Sequence, residues 1–433
     1  MLDSLAYLVY KLTLVLLPIV AVFLLARVAY KMWLHYVQAN FISGIDWVLL
    51  EIIPPREVIK SPMSIELFLT NALYHWSEKS GLEKYWQGAV WFWFSLEIVS
   101  IEGQVHFYIR TPTRVKSLIE TQIYAQFPQA QVKVAEDYSL AVDKITPDSA
   151  WNLWGCEFKY SKPFAFPIKT YKAYELDKNP KEEYKIDPIS PVIELFGSIG
   201  KGEQMWMQVV ITPCQKKFKT HGKWFKKHDW VQEAEEEIRR ALKEFTRVHP
   251  DAGIGGATAM EIRPPSFLDT VVKGATEKIT KVAFETGIRV CYVAKKEVFN
   301  MSNRRNIRLI FRQYAAPMSN ELVRTNSTQA DAFGTNLIAQ FFPLSSEKVG
   351  RLSNRMLLEY QEREFFHPPM RHKISLPWPL SPLVFPNFFH PHINIMNTEE
   401  IATIWHFPSQ ALRVPTLERV ESKEAAPPPN LPV

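Results

Sequence analysis

Cysteine is scarce in this chain. Cys156, Cys214 and Cys291 are three in number, odd and widely spaced, which argues against a disulfide framework or a Cys-rich metal site and points to a reducing compartment. Glycine is also sparse, at 16 residues in 433, and the glycine-rich phosphate loop is missing. A P-loop needs G-x-x-x-x-G-K-[ST], so that backbone amides cradle phosphates and the lysine reaches the terminal ones. FGSIGKGEQ offers Gly200 and Lys201, but Gly202 stands in place of the hydroxyl residue and Leu195 in place of the first glycine. GIGGATAM, from Gly253 to Met260, has no lysine. Both stretches read as turns. No Ser/His/Asp or Cys/His spacing stands out, so the chain is expected to be non-enzymatic, with no catalytic residue and no cofactor. The net charge of +6 permits an anionic partner without requiring one.

What is present is apolar. Hydrophobic residues make up 47% of the chain and aromatics 13%, enough for sizeable cores. The 31 prolines cluster near Pro54, from Pro368 to Pro391 and from Pro427 to Pro432, where they punctuate junctions. From Leu5 to Ala26 the run LAYLVYKLTLVLLPIVAVFLLA carries one charge, Lys11, which can snorkel toward headgroups. Crossing the hydrocarbon takes about 20 mostly apolar residues. The leading MLDS is not basic and no small-residue cleavage site follows, so an uncleaved anchor is favoured over a signal peptide. Arg27 and Lys31 follow the run, whereas Asp3 precedes it, which predicts a cytoplasmic body on a single-pass anchor in the cytoplasmic membrane. Residues 5–34 are assigned to the anchor and its interface, where Trp33 belongs.

The soluble body reads as α+β. Over residues 47–138, WVLLEII, MSIELFLTNALYHW, VWFWFSLEIVSI, QVHFYIRTP, PTRVKSLIETQIYAQF and AQVKVAE follow the order strand, helix, strand, strand, helix, strand. The two middle strands meet at Glu102 and Gly103 as a hairpin. That order is the ferredoxin-like (βαββαβ) pattern, a sheet with helices on one face. A second ferredoxin-like unit is expected over residues 158–344. FAFPIKTY and EQMWMQVVITP are its first strands around PVIELFGSI, then come IRVCYVAK and the helical SNRRNIRLIFRQY. An insertion over residues 213–287 carries the charged helix WVQEAEEEIRRALKEF and a second helical stretch. Residues 345–410 are expected to be helical and Pro-rich, and residues 411–433 to be a disordered leader.

Two stretches invite chemistry. Lys216, Lys217, Lys219, Lys223, Lys226 and Lys227 are interleaved with Phe218, Trp224 and Phe225, a composition that can hold anionic lipid or nucleic acid. A solvated insertion loop explains the same residues. FFHPHIN sets His390 and His392 two apart, so on a strand they would face one side and could share a metal, with Tyr360 as the helical tyrosine of a relaxase-like nuclease of single-stranded DNA. Pro386 and Pro391 disfavour a central strand there, and a Pro-shaped turn with no metal is the stronger reading.

LLEIIPPREVIKSPMSIELFL, SLEIVSIEGQVHFYIRTPTRVKSLIETQIYAQFPQAQV, GKGEQMWMQVVITP and NTEEIATIWHFPS with the PPPNLP tail together carry a resemblance. They resemble the N-terminal, non-ATPase region of membrane-anchored conjugation and type IV secretion ATPases of the HerA/FtsK-like superfamily. In that class a segment like NTEEIATIWHFPS precedes a leader into the nucleotide-binding domain. No Walker residue can be carried over to this chain. The resemblance implies a membrane-anchored platform for DNA or protein transfer that holds a separately encoded P-loop ATPase or channel subunit. Its docking residues would be Glu399, Glu400, Trp405, His406, Phe407 and Pro408. The rings formed by ATPases of this class make a homo-oligomer consistent with it.

Overall fold

In a computed structural model the described residues are 2–55, 60–74, 79–146, 148–178, 186–214, 229–248, 266–316, 318–328, 346–367 and 392–408. They form two compact units. The first holds the described residues among 2–46 and 79–92, the second those among 47–74, 93–367 and 392–408.

The first unit is built on helix α1, Leu2–Ser43, which passes through Pro18. The most apolar 18-residue window of its stretch Thr13–Ser43 has a mean hydropathy of 2.2 and none of that window is buried, so the helix is long and apolar enough to cross a membrane.

The second unit is a mixed α+β fold around a nine-stranded sheet. The strands are β1 (Trp47–Ile53), β2 (Phe94–Ile101), β3 (Gln104–Pro112), β4 (Gln131–Ala135), β5 (Trp151–Tyr160), β6 (Glu203–Pro213), β7 (Ala283–Lys295), β8 (Leu322–Thr325) and β9 (Asn394–Asn397). Their order is β4-β1-β3-β2-β6-β7-β5-β8, with β9 also paired to β7. Each pairing is antiparallel. The order is palindromic: read inward from either edge, the strands come fourth, first, third and second in their half of the chain. β2 and β6 join the halves through pairs running from Phe94↔Ile211 to Ile101↔Gln204.

Local sequence explains the elements. Glu102 and Gly103 both take positive φ (54° and 90°), as a two-residue hairpin that follows the strand twist requires. Between β1 and β2 comes α2 (Met63–Phe68), continued by a π-helical turn over Leu69–Leu73. In the first unit, α3 is Gly81–Tyr85. α4 (Lys116–Gln126) joins β3 to β4, and α5 (Ser190–Gly197), with a proline in its first turn, leads to β6. The insertion between β6 and β7 carries α6 (Trp230–Val248) and α7 (Ser266–Ile279). Helices α8 (Met301–Arg308), α9 (Ser346–Gln361) and α10 (Thr398–Ile404) follow among the described residues.

Two expectations are corrected. FAFPIKTY is not a strand: Pro167 within it and Pro163 just before it have no amide to donate, and the distant Asn320 Nδ2 donates to the carbonyls of Lys162, Pro163 and Phe166, which are thus satisfied without a ladder. The strand is WNLWGCEFKY, which starts seven residues ahead of the expected 158. The sheet is also not covered on one face alone. The face of Phe107 packs against the aromatic residues of the α10 segment, while the face of Tyr108 is buried under Tyr138, Val142, Ile145 and the α9 residues Met356, Leu357 and Tyr360. Gly155 permits that second cover, because a Cβ there would stand 2.9 Å from both Cys291 Sγ and Met356 Cγ.

Candidate functional site

The stretch NTEEIATIWHFP builds one end of the second unit. Asn397 Oδ1 accepts from the Glu400 amide at 2.9 Å, and Glu400 Oε2 accepts from the Asn397 amide at 3.1 Å. This capping box starts α10 and puts two carboxylates at the positive end of its dipole. The whole helix is buried, so its charges need partners. Glu400 meets Lys278 Nζ at 2.8 Å, with both side chains fully enclosed, and accepts from the Tyr160 hydroxyl at 2.8 Å and the Ile168 amide at 3.0 Å. Glu399 meets Lys281 at 2.7 Å and Lys172 at 3.0 Å, and accepts from the Thr170 hydroxyl at 2.6 Å. Burial pushes the Glu399 carboxyl up, but those three donors outweigh it and hold it below the ordinary carboxylate value. Lys281 also reaches both oxygens of Glu66 on α2, at 2.7 and 3.0 Å.

The far end of α10 is fixed in the same way. Trp405 Nε1 donates to the Glu97 carbonyl at 3.3 Å. The His406 ring nitrogens lie 2.8 Å from the Ala402 carbonyl and 2.9 Å from Asp187 Oδ1, so this side chain closes the last turn and ties it to the loop before α5. Phe407 lies edge-on to Phe107 and Phe127, with centroids 5.3 and 5.0 Å away. Glu399, Glu400, Trp405, His406, Phe407 and Pro408 are therefore all inside the fold. As a docking surface they are corrected: their polar and aromatic groups hold the segment to its own body.

Beside the α10 N-terminus lies a cavity of about 630 Å³, lined by Pro167, Thr170, Val271, Lys278, Met318 and Glu399 among others. Its volume suits a small molecule. Two polar side chains on its wall are engaged with the α10 carboxylates, Thr170 with Glu399 and Lys278 with Glu400.

The opposite face of the sheet carries a polar row absent from the sequence reading. Lys133, Glu51, Tyr108, Glu97, Gln208, Arg289, Glu157 and Thr325 stand opposite one another in turn across eight strands, from β4 to β8. At its centre Arg289 donates to Gln208 Oε1 at 3.3 Å and to Glu157 Oε1 at 2.9 Å, and Arg363 donates to both oxygens of Glu97 at 2.9 and 3.2 Å. Burial pushes Glu157 up in spite of Arg289. Each buried charge thus has a counter-charge, and the row fixes α9 and the turn after it against the sheet.

Tyr360 belongs to this layer. It is fully buried, its hydroxyl lies 2.8 Å from that of Tyr138, and its ring packs 5.1 Å from Trp206. Burial pushes its hydroxyl well above the ordinary tyrosine value. A relaxase tyrosine has to reach a phosphodiester as a nucleophile, so the role suggested for Tyr360 is corrected. His392 is half-buried, whereas His390 lies outside the described residues, as do Lys216, Lys217, Lys219, Lys223, Trp224, Lys226 and Lys227. Among the described residues no three His, Cys, Asp or Glu side chains are grouped to hold a metal ion. At Gly200–Gly202 the turn is closed by acids: the Gly200 amide donates to Glu203 at 2.8 Å and the Gly202 amide to Glu102 at 3.0 Å, where a P-loop would offer its amides to phosphate. Burial raises the thiol of Cys291 to about 12, and all three cysteines are buried and outside any disulfide.

The family model of a domain of unknown function, DUF8128, matches residues 84–370, well over half of the chain. The chain belongs to the DUF8128 family. No curated protein matches it. The DUF8128 match encloses the centre of the polar row, Glu97, Gln208, Arg289 and Glu157, together with Tyr360 and Arg363. Helix α1 and the buried α10 segment lie on either side of it.

Proposed function

We propose that this DUF8128 protein is a non-enzymatic, membrane-anchored platform that holds a separately encoded P-loop ATPase or channel subunit of a conjugation or type IV secretion-like system. The observation that carries this reading is the seating of residues 397–408. A short helix with both ends capped, four of its neighbouring charges paired and its Trp-His-Phe turn buried, is a rigid mount. Pro408 is thereby held at a fixed point of the body. That is the mechanical need of a leader toward a motor, and it agrees with the resemblance carried by NTEEIATIWHFPS.

Two further features support the reading. The chain order fourth, first, third, second in each half of the sheet is that of a ferredoxin-like unit, so we read the second unit of the molecule as two such units joined edge to edge through β2 and β6. Arg27 and Lys31 just after the apolar run favour a cytoplasmic body. Anchoring raises the effective concentration of partners at the membrane without new contacts. A gentle detergent pull-down of the full-length protein from native membranes tests the proposal. A stoichiometric P-loop ATPase or channel subunit is expected, and recovery of the chain alone would reject it.

A further inference from the structure

We infer that residues 79–92 form a clasp that lies in the headgroup layer of the bilayer beside the anchor helix, so that the membrane contact of this protein is wider than one helix. The inference rests on the anchoring reading above and adds a second, non-spanning lipid contact to it.

The clasp runs along one side of α1. Tyr30 packs against Tyr85 with centroids 6.4 Å apart, and Trp33 packs against Trp86 at 5.7 Å. The Trp33 indole N–H also donates to the Tyr85 carbonyl at 3.3 Å. Gly88 lies so close to α1 that a Cβ there would be 2.2 Å from the Val37 carbonyl oxygen, and its φ of +69° suits glycine. Lys79 Nζ stands 5.5 Å from the Phe41 ring and donates to the Val90 carbonyl at 2.7 Å. Tyr30, Trp33, Val37 and Phe41 recur at three- and four-residue steps, which is one face of a helix. The short helix α3 is itself fixed by a capping box between Ser80 and Glu83.

The clasp turns apolar surface outward. Leu82 is 66% exposed, Trp86 69% and Tyr85 45%, within five residues. In water such a cluster loses the stabilisation that burial would give it. Its height identifies what covers it. With the apolar run ending at Ala26, Tyr30 stands about 6 Å and Trp33 about 10 Å farther along the axis at 1.5 Å per residue. The polar layer of a bilayer leaflet is about 5–8 Å thick. Tyr85, packed on Tyr30, is at the level of that layer and Trp86, packed on Trp33, is at its outer edge, the interface where Tyr and Trp are enriched in membrane proteins. Arg27, Lys31 and Lys84 are exposed close by in the sequence of the anchor and clasp and suit anionic phospholipid.

The test uses the full-length protein reconstituted in vesicles of phosphatidylcholine and phosphatidylglycerol. An environment-sensitive thiol probe is placed at W86C or, as the anchor control, at V20C; the native cysteines are buried. Spin-labelled lipids carry the quencher either near the headgroup or at mid-chain. The probe at 86 should be quenched at least twofold more by the shallow label than by the deep one, with the reverse order at 20. Quenching at 20 without quenching at 86 overturns the clasp and leaves the anchor standing. No quenching at either site overturns both, and quenching at 86 alone keeps the clasp and rejects the span.

Discussion

Arg363 grips both carboxylate oxygens of Glu97, a residue 266 positions earlier in the chain, and neither side chain reaches solvent. One oxygen of that carboxylate also accepts from the Tyr138 hydroxyl at 2.7 Å, and Arg363 bonds Asp137 and the Gln361 carbonyl in addition. Burial lowers the guanidinium's proton affinity, but Glu97 and the neighbouring groups more than reverse it. The pair locks the turn after α9 onto the second strand of the sheet.

Removing one partner leaves a charge enclosed without compensation. Arg363→Met should therefore destabilise the fold by about 3–5 kcal/mol. The double variant Arg363→Met with Glu97→Gln should recover part of that loss. Urea unfolding of the full-length protein in mild detergent, followed by tryptophan fluorescence, measures both. Additive losses would mean that the two residues do not act as a pair.

Gly287 is the strictest steric prediction. A Cβ there would sit 2.4 Å from the ring of Phe365, which also lies 5.3 Å beneath the Arg289 guanidinium. Gly287→Ala must shift that ring and should cost about 1–3 kcal/mol. Gly350→Ala is the control, since a Cβ there meets nothing within 4 Å and the residue lies within helix α9. Thermal unfolding of the two variants should separate them, with Gly350→Ala neutral or slightly stabilising.

Stability should also fall as pH rises toward neutrality. Burial, then the nearby carboxylates of Glu362 and Glu359, push Glu364 up to about 8. Between the usual carboxylate range near 4.5 and about 8, the folded protein keeps a proton that the unfolded chain has released. Unfolding then becomes easier with each step in pH across that window. Glu364→Gln should flatten this part of the thermal-midpoint profile by several degrees. An unchanged slope between pH 5 and 8 would place the effect elsewhere.

At the α10 mount, Asn397→Ala removes the acceptor of the Glu400 amide and one half of the capping box. A loss of about 1–2 kcal/mol is expected, larger than at an exposed cap because the helix is buried. Hydrogen exchange of the α10 amides is the discriminating measurement. Protection should fall there first and remain on β6 and β7.

Much of this architecture was legible because it is local. The hairpin at Glu102 and Gly103 and the strand, helix, strand, strand, helix, strand order over residues 47–138 each follow from short runs of neighbouring residues. FAFPIKTY misled because aromatic and β-branched residues outweighed its one proline, and WNLWGCEFKY was passed over because Gly155 and the charges of Glu157 and Lys159 dilute its pattern. The polar row left a faint signal: Glu97 and Arg289 are single charges inside the apolar runs SLEIVSI and IRVCYVA. A buried charge can be suspected from such a run, but its counter-charge cannot be located. Glu97 finds Arg363 across 266 positions, and only the sheet register brings Gln208, Arg289 and Glu157 into line. The docking role expected of Trp405, His406 and Phe407 failed for a related reason. Large aromatic residues in a short motif serve a core as readily as an interface.

The most direct measurement is a paired pull-down from native membranes, with the full-length chain and with a variant lacking residues 409–433, both of which keep the α10 mount. The platform account predicts a stoichiometric P-loop ATPase or channel subunit with the full-length chain and its loss from the shortened one. Recovery of both chains without any such partner would contradict it.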